Sequence, residues 1–430
     1  MKGMLANWKL LAAGIIPLIH STHSFAVTFD ELAKRDSDTY QIIDCRASEF
    51  YNGWPEQGEI RGGHFPSSVN FSANWLDILS DEQIRQQLNL RKLNTDKPTY
   101  LYCNSGSQNK VKTKLEELGF SEVAQVEQNI SDYQGQLVSL PNYQQLVPAS
   151  WVNELISGKA VNHAPEKGYK VVEVAWGPPV KYLASHIPGA LYLNTNQIES
   201  EDRQWNRVSA EDLKTVLEEL GIGHDTTVVL YGRNNMAAGR TANIFMYAGV
   251  KDVRLLDGGW SAWDRADYPT EALLNSAEKA VFGKPVPANP EYVIDIPEAK
   301  QLLADQENSS LVSIRTTAEY TGKESGYSYI KHKGRIKGSR WGHAGSDANH
   351  LEDFHNPDET MLSADIITRQ WQEWNIRKDQ RVAFYCGTGW RASEAFFYAH
   401  VMGWPQISVF DGGWFEWSND ESNPVESGEM

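Results

Sequence analysis

Short apolar runs recur along this chain, each ending at a glycine or a cysteine. Thr227-Val228-Val229-Leu230-Tyr231 stops at Gly232, and Arg381-Val382-Ala383-Phe384-Tyr385 stops at Cys386. Runs of this length with little polar alternation predict strands buried on both faces. A helix-like stretch follows each, Ala237 to Ala248 and Ala392 to Met402, closed by Gly249 and Gly403 as C-terminal stops. A second apolar strand comes next, Val253 to Leu256 and Ile407 to Phe410. Each leads into one motif: Asp257-Gly258-Gly259-Trp260-Ser261-Ala262-Trp263 in one copy, Asp411-Gly412-Gly413-Trp414-Phe415-Glu416-Trp417 in the other. The interval from Gly232 to Asp257 is the same as that from Cys386 to Asp411.

The same order occurs a third time in degraded form. Tyr100-Leu101-Tyr102 leads into Cys103, a helix runs to about Leu118-Gly119, and a strand ends near Val126. The same interval after Cys103 reaches Gln128, where the Asp-Gly-Gly-Trp motif has been lost. His186-Ile187-Pro188-Gly189-Ala190 has a partner in His64-Phe65-Pro66-Ser67-Ser68 and a weaker one in Arg335-Ile336-Lys337-Gly338-Ser339. Strands alternating with helices predict an α/β fold of three tandem units, each a parallel sheet with helices on both faces. Residues 27–150 form the first unit, 151–270 the second and 291–430 the third, with 271–290, rich in charge and proline, as a linker.

A length of 430 residues agrees with two to four domains, and 41% hydrophobic residues suffice to fill their cores. The net charge of −16 argues against nucleic acid or an anionic membrane as the main partner, and an anionic substrate then needs a local cationic pocket. Lys2 and Lys9, the apolar run Leu10 to Ile19, and Ser24-Phe25-Ala26 together read as a secretory signal over residues 1–26; an uncleaved anchor is the alternative. Three cysteines make no disulfide framework. In an oxidising compartment an odd cysteine is kept for chemistry or is buried.

Cys386-Gly387-Thr388-Gly389-Trp390-Arg391 sits where a buried strand stops and a helix begins. That position turns the thiol toward a helix N-terminus and the amides of a glycine turn, which stabilise a thiolate or a persulfide. Arg391 adds a fixed cation at the rim. An inert buried cysteine on an ordinary strand–helix loop is the structural alternative. This loop, the His-Ile-Pro-Gly-Ala stretch and the Asp-Gly-Gly-Trp stretch resemble the rhodanese family, the thiosulfate or 3-mercaptopyruvate sulfurtransferases. The three-unit exported form is similar to periplasmic thiosulfate sulfurtransferases of enterobacteria.

The resemblance implies a double displacement: Cys386 takes a sulfane sulfur from a small anionic donor and passes it, as a persulfide, to cyanide or to a thiol or dithiol, free or protein-borne. It implies that Gly387, Thr388, Gly389, Trp390 and Arg391 surround the sulfur. It implies no metal or organic cofactor, and the composition points to no nucleic acid and, after signal cleavage, no membrane. Cysteine phosphatases share a Cys-to-Arg loop but space it Cys-x5-Arg, whereas Cys386 and Arg391 are Cys-x4-Arg. A non-catalytic sulfur-binding or redox protein is the third class.

The sequence also departs from the family. Where the family usually shows Asp-x-Arg, this chain reads Ser313-Ile314-Arg315, and Glu319 stands where relatives place a donor-binding arginine. Lys331, Lys333, Arg335 and Arg340 are candidates to supply the missing cations. Gly232 leaves the second unit without a sulfur carrier, and Gln108 replaces the closing arginine in the first. In a rhodanese-type sheet the strands ending at Cys45 and Cys103 are neighbours, so these two residues either pair and silence the first loop or lie apart, with Cys45 in the core on the far face.

Overall fold

The computed structural model describes residues 27–104 and 106–430, so the candidate signal over 1–26 lies outside the described residues. The first sheet has the parallel order β2-β1-β3-β4, from Gln41–Asp44 (β1), Ser68–Asn70 (β2), Thr99–Tyr102 (β3) and Val123–Gln125 (β4). The second runs β5-β9-β8-β6-β7, from Leu146–Val147 (β5), Tyr169–Ala175 (β6), Leu191–Asn194 (β7), Thr227–Tyr231 (β8) and Asp252–Leu256 (β9). The third is built from Val293–Ile294 (β10), Ser309–Ser313 (β11), Arg340–Trp341 (β13), Arg381–Tyr385 (β14) and Ile407–Phe410 (β15), in the order β10-β15-β14-β11-β13. Arg335–Ile336 (β12) pairs antiparallel with Val425–Glu426 (β16) beside it. The continuous apolar runs are the central strands, and β8 is buried along its whole length.

The repeat holds at the level of single hydrogen bonds. The tyrosine that ends each central strand takes a backbone N–H from the landmark loop: Tyr102 from Phe65 at 3.1 Å, Tyr231 from Ile187 at 3.1 Å, and Tyr385 from Ile336 at 3.4 Å. The Gly-Gly pair of the Asp-Gly-Gly-Trp motif has an equally specific cause. Gly413 sits at φ +54°, and a Cβ there would lie 2.6 Å from the Cys386 carbonyl oxygen; Gly259, also at +54°, would meet the Gly232 carbonyl at 2.7 Å. Only glycine permits this approach and this dihedral together. The next amide then closes the contact, Trp414 N–H onto Cys386 O at 2.8 Å and Trp260 N–H onto Gly232 O at 3.0 Å.

Two boundaries move. β5 pairs with β9, so Leu146 and Val147, expected in the first unit, form the edge strand of the second. The segment expected to be a linker is a strap on the second unit: Phe282 is wholly buried, His224 N–H donates to Phe282 O at 2.8 Å, and Glu271 exchanges backbone bonds with His186. His186 of the His-Ile-Pro-Gly-Ala stretch stacks on Tyr182 at 3.8 Å, a folded-loop role.

The second and third units share one continuous core. Its seam is the pair of helices Asn235–Ala248 and Trp390–Val401, both buried on nearly all sides. Gly239 allows their close crossing, since a Cβ there would stand 2.9 Å from Glu394 Cα. The two motif aspartates reach across this seam in opposite directions. Asp257 accepts Met361 N–H at 2.7 Å, while Asp411 accepts Arg207 and Arg240. The first unit docks on both others, through Trp54 Nε1 to Leu146 O at 2.9 Å and Trp75 Nε1 to Asp358 Oδ2 at 2.9 Å. Among the described residues no helix is long and apolar enough to cross a membrane.

Cys45 directly follows β1 and Cys103 directly follows β3, and the two are disulfide-bonded with Cα atoms 4.7 Å apart. Neighbouring parallel strands hold them at that separation whether or not the bond is made. Thiol titration of the denatured, unreduced protein is therefore expected to count one free thiol per chain, that of Cys386. A count of three would show that the pair does not form.

Candidate active site

Cys386 follows Tyr385 at the end of β14 and is fully buried. Its Sγ accepts the N–H of Gly389 at 3.1 Å, the bond of the loop amides that reaches the sulfur among the described residues. Gly389 is also the N-cap of the 12-residue helix Trp390–Val401, with φ +121°. A buried sulfur thus faces a helix N-terminus through a glycine amide.

The roof comes from the segment between Gly322 and Gly334. Tyr327 lies on Gly387, where a Cβ would meet its ring at 2.5 Å, and its hydroxyl donates to Ala348 O at 2.8 Å. Tyr329 stacks on Tyr327 with ring centroids 5.4 Å apart and meets Phe415 edge-on at 5.5 Å and Trp205 of the second unit at 6.3 Å. Burial pushes the Tyr329 hydroxyl up to about 12, and Thr388 beside it pulls the other way. Sequence reasoning missed this aromatic roof, because Tyr327 and Tyr329 stand in an irregular loop with no periodic pattern.

Arg391 is not at the rim. It is wholly buried beneath the loop and grips Glu319 through two bonds, Nη1 to Oε2 at 2.7 Å and Nη2 to Oε1 at 2.9 Å. Arg315 Nε joins the same carboxylate at 3.4 Å and its Nη1 donates to Gly334 O at 2.7 Å, as Arg46 does to Gly63 O in the first unit. Burial would raise the Glu319 carboxyl, yet Arg391 above all, with Arg315 and the Thr316 amide, holds it down to about 2. The two departures from the family pattern account for each other. Asp44 neutralises Arg46 in the first unit; Ser313 cannot do so for Arg315, and Glu319 supplies that carboxylate instead. Arg391 therefore has no free fork for a donor, and its charge acts on Cys386 through space.

The other candidate cations divide. Arg335 is tied to Glu426 Oε1 at 3.2 Å and Tyr320 O at 3.2 Å, and Arg340 to Gln306 O at 2.6 Å and Asn375 O at 3.0 Å, so both are structural. Lys331 and Lys333 are exposed on the roof segment, next to Ile330, which also lies over Gly387.

The other two loops are closed by different means. In the second unit Asn235 Oδ1 accepts Gly232 N–H at 3.2 Å, and a Cβ on Gly232 would meet Asn234 O at 2.5 Å. Arg233, one position after the missing cysteine, binds Glu173 at 3.0 Å and so replaces the arginine of the neighbouring strand. In the first unit Cys103 is held by Cys45, and Gln108 Nε2 reaches back to Cys103 O at 3.3 Å.

The family model for the rhodanese-like domain matches residues 28–136, 150–266 and 295–420. The sequence is 50% identical over 405 residues to the thiosulfate sulfurtransferase YnjE of Escherichia coli (strain K12), covering 94% of this chain and 92% of that one. The crystal structure of YnjE matches with a TM-score of 0.90, covering 94% of this chain and 96% of that chain. The anaerobic ergothioneine biosynthesis enzyme of Chlorobium limicola, in complex with trimethyl histidine, matches with a TM-score of 0.89 at 38% identity over 94% of this chain and 99% of that chain. A structure of EanB with a cysteine persulfide and ergothioneine gives a TM-score of 0.89 at 39% identity, covering 94% of this chain and 100% of that chain.

Removing one partner of a buried ion pair strands the other, so Arg391→Ala is expected to destabilise the third unit by about 3–5 kcal/mol. The pH dependence has a definite sign. The folded Glu319 carboxyl lies near 2, below its ordinary 4.5, so its contribution is full above 4.5 and fades as pH falls toward 2. In denaturant titrations the stability gap between wild type and Glu319→Gln should therefore narrow over that window. A gap constant with pH would show that the carboxylate is not held ionised by the two arginines.

Proposed function

This chain belongs to the rhodanese family as a sulfurtransferase of three such domains, and we propose that it takes sulfur from thiosulfate as a persulfide on Cys386. The observation that carries this reading is the Gly389 amide directed at a buried sulfur at the start of a helix. In the first half-reaction the Cys386 thiolate attacks the outer sulfur of thiosulfate. The S–S bond of the donor breaks, sulfite leaves with its electron pair, and Cys386 carries the persulfide. In the second, an acceptor thiolate or cyanide attacks the outer sulfur and Cys386 leaves as thiolate. Both half-reactions place negative charge on sulfur, which a fixed amide and a helix terminus stabilise throughout.

Gly387, Thr388, Gly389 and Trp390 form the wall around that sulfur, while Arg391 lies beneath it. The exposed Lys331 and Lys333 offer an anionic donor its first contact against an overall charge of −16. Because Cys386 has no exposed surface, the roof over Gly387 opens for each transfer. The run Leu10 to Ile19 and the Ser24-Phe25-Ala26 site support a periplasmic setting for this activity.

A second reading of the acceptor has one observation in its favour. In the EanB structure a tyrosine replaced by phenylalanine stands as far ahead of the persulfide cysteine as Tyr327 stands ahead of Cys386 here. On this reading the acceptor is a trimethylated histidine: a ring carbon bonds the outer sulfur, the S–S bond breaks with Cys386 leaving as thiolate, and the ring C–H is lost as a proton. Incubating persulfidated protein separately with cyanide, a dithiol and trimethyl histidine, and identifying the product by mass, separates the two.

Incubation with thiosulfate should add the mass of one sulfur to the peptide containing Cys386, and Cys386→Ser should abolish turnover while keeping the fold, since a hydroxyl is too poor a nucleophile. Faster turnover with 3-mercaptopyruvate than with thiosulfate would overturn the donor assignment, and sulfur added elsewhere would overturn the site.

A further inference from the structure

The second unit carries no cysteine, yet two of its buried charged side chains end on the loop that holds Cys386. We infer that Arg240 and Glu199 of the second unit are positioning residues of the sulfur site, which the third unit cannot complete alone. This rests on Cys386 being the sulfur carrier.

Arg240 projects from the helix Asn235–Ala248 and is fully buried. Nε donates to Glu199 Oε2 at 2.9 Å, and Nη2 serves Asp411 Oδ1 and, at 3.2 Å, Trp205 O. Its Nη1, equally buried, has no hydrogen-bond partner. That unpaired edge lies against Gly389: a Cβ on Gly389 would stand 2.9 Å from Nη1 and 3.0 Å from Cζ. Gly389 is the residue whose amide holds the Cys386 sulfur. Leaving a guanidinium N–H unpaired in a dry interior is costly, and such a group is tolerated where a polar or charged neighbour makes use of it. Here it directs positive charge at the back of the sulfur loop.

Glu199 acts on the next residue along. Its Oε1 accepts the indole N–H of Trp390 at 2.6 Å while its Oε2 holds Arg240. Gly389 and Trp390, which cap and begin the catalytic helix, are thus fixed from outside their own domain. Asp411, ending the third unit's strand β15, closes the circuit by accepting Arg240 and, at 2.7 Å, Arg207 Nη1. Arg207 also pairs with Asp295 at 3.0 Å, so two guanidiniums face three carboxylates, Glu199, Asp411 and Asp295. Neutralising Arg240 makes this network more negative next to the loop, and neutralising Glu199 makes it less so.

Other charged and titratable groups also face Cys386. Arg391 comes from its own helix, Arg315 and Glu319 from the segment after β11, and Tyr327 and Tyr329 from the roof. Substitutions at Arg240 and Glu199 leave all of these in place, so their effects can be read separately.

The test is the pH profile of Cys386 alkylation, which needs no sulfur donor, in wild type, Arg240→Gln and Glu199→Gln. A net negative charge behind the loop disfavours the thiolate and a net positive one favours it. The midpoint should therefore move up in Arg240→Gln and down in Glu199→Gln, with thiosulfate kcat lowered and KM unchanged in Arg240→Gln, because Arg240 cannot touch the donor. A merely structural role would loosen the loop in both variants and shift the two midpoints the same way or not at all; either result overturns the inference. Should Arg240→Gln fail to fold, Glu199→Gln alone still decides: its one amide oxygen can accept from Trp390 while its NH2 cannot accept from Arg240, and only the downward shift supports the proposal. If the midpoints separate but no sulfur reaches Cys386, the proposed function fails and the positioning role stands.

Discussion

A sulfur atom that carries charge while closed off from water must be compensated by the protein, and the architecture around Cys386 is arranged for that. The Gly389 amide and the start of a long helix supply fixed dipoles. Beneath them Arg315 and Arg391 share the single carboxylate of Glu319, so the cluster keeps one positive charge in excess. That excess is set in a dry environment, where screening by salt is weak. Compensation of this kind requires no arginine that moves or binds the donor, which explains how Arg391 can be locked by two bonds and still matter.

The first two loops show what happens when the requirement lapses. In the second unit Gly232 stands in place of the cysteine, and an asparagine side chain from the same turn accepts its N–H. In the first unit a second cysteine takes the sulfur instead. In both, the tyrosine hydrogen bond at the strand end survives, because it holds the sheet to the landmark loop and has no part in the chemistry. The Asp-Gly-Gly-Trp motif survives in the second unit for a further reason. Asp257 and Asp411 each serve the opposite unit, so the motif holds the interface of the two domains as well as each loop. Loss of catalysis in the second unit therefore removes no constraint on its fold.

The strands, the loop and the three-fold repeat were legible in the sequence because each is a local signal. An apolar run, a glycine turn, and an interval from Cys386 to Asp411 that Gly232 and Asp257 repeat all lie within one stretch of chain. The parts that were not legible depend on the partner a side chain meets. Arg391 reads as a rim cation from the loop alone, and only the turn of chain bearing Glu319 shows that it is already paired. Glu199, Trp205 and Arg240 belong to no motif, and the helix bearing Arg240 reads as core. Cys45 could be placed beside Cys103 by sheet order, but pleat direction decides whether the sulfurs meet, and alternation along the short strand β1 does not fix that direction.

Occlusion of Cys386 has a chemical consequence as well as an electrostatic one. A thiolate made stable by its surroundings is also the form that oxidants attack, and exposure governs how quickly they reach it. Tyr327 on Gly387 keeps that route closed between transfers, so the features that favour the anion do not by themselves expose it to oxidation. A roof that excludes oxidants excludes a donor too, and the same segment carries the exposed Lys331 and Lys333. On the proposed function, an anion reaching Lys331 or Lys333 would meet the same chain segment that covers Gly387.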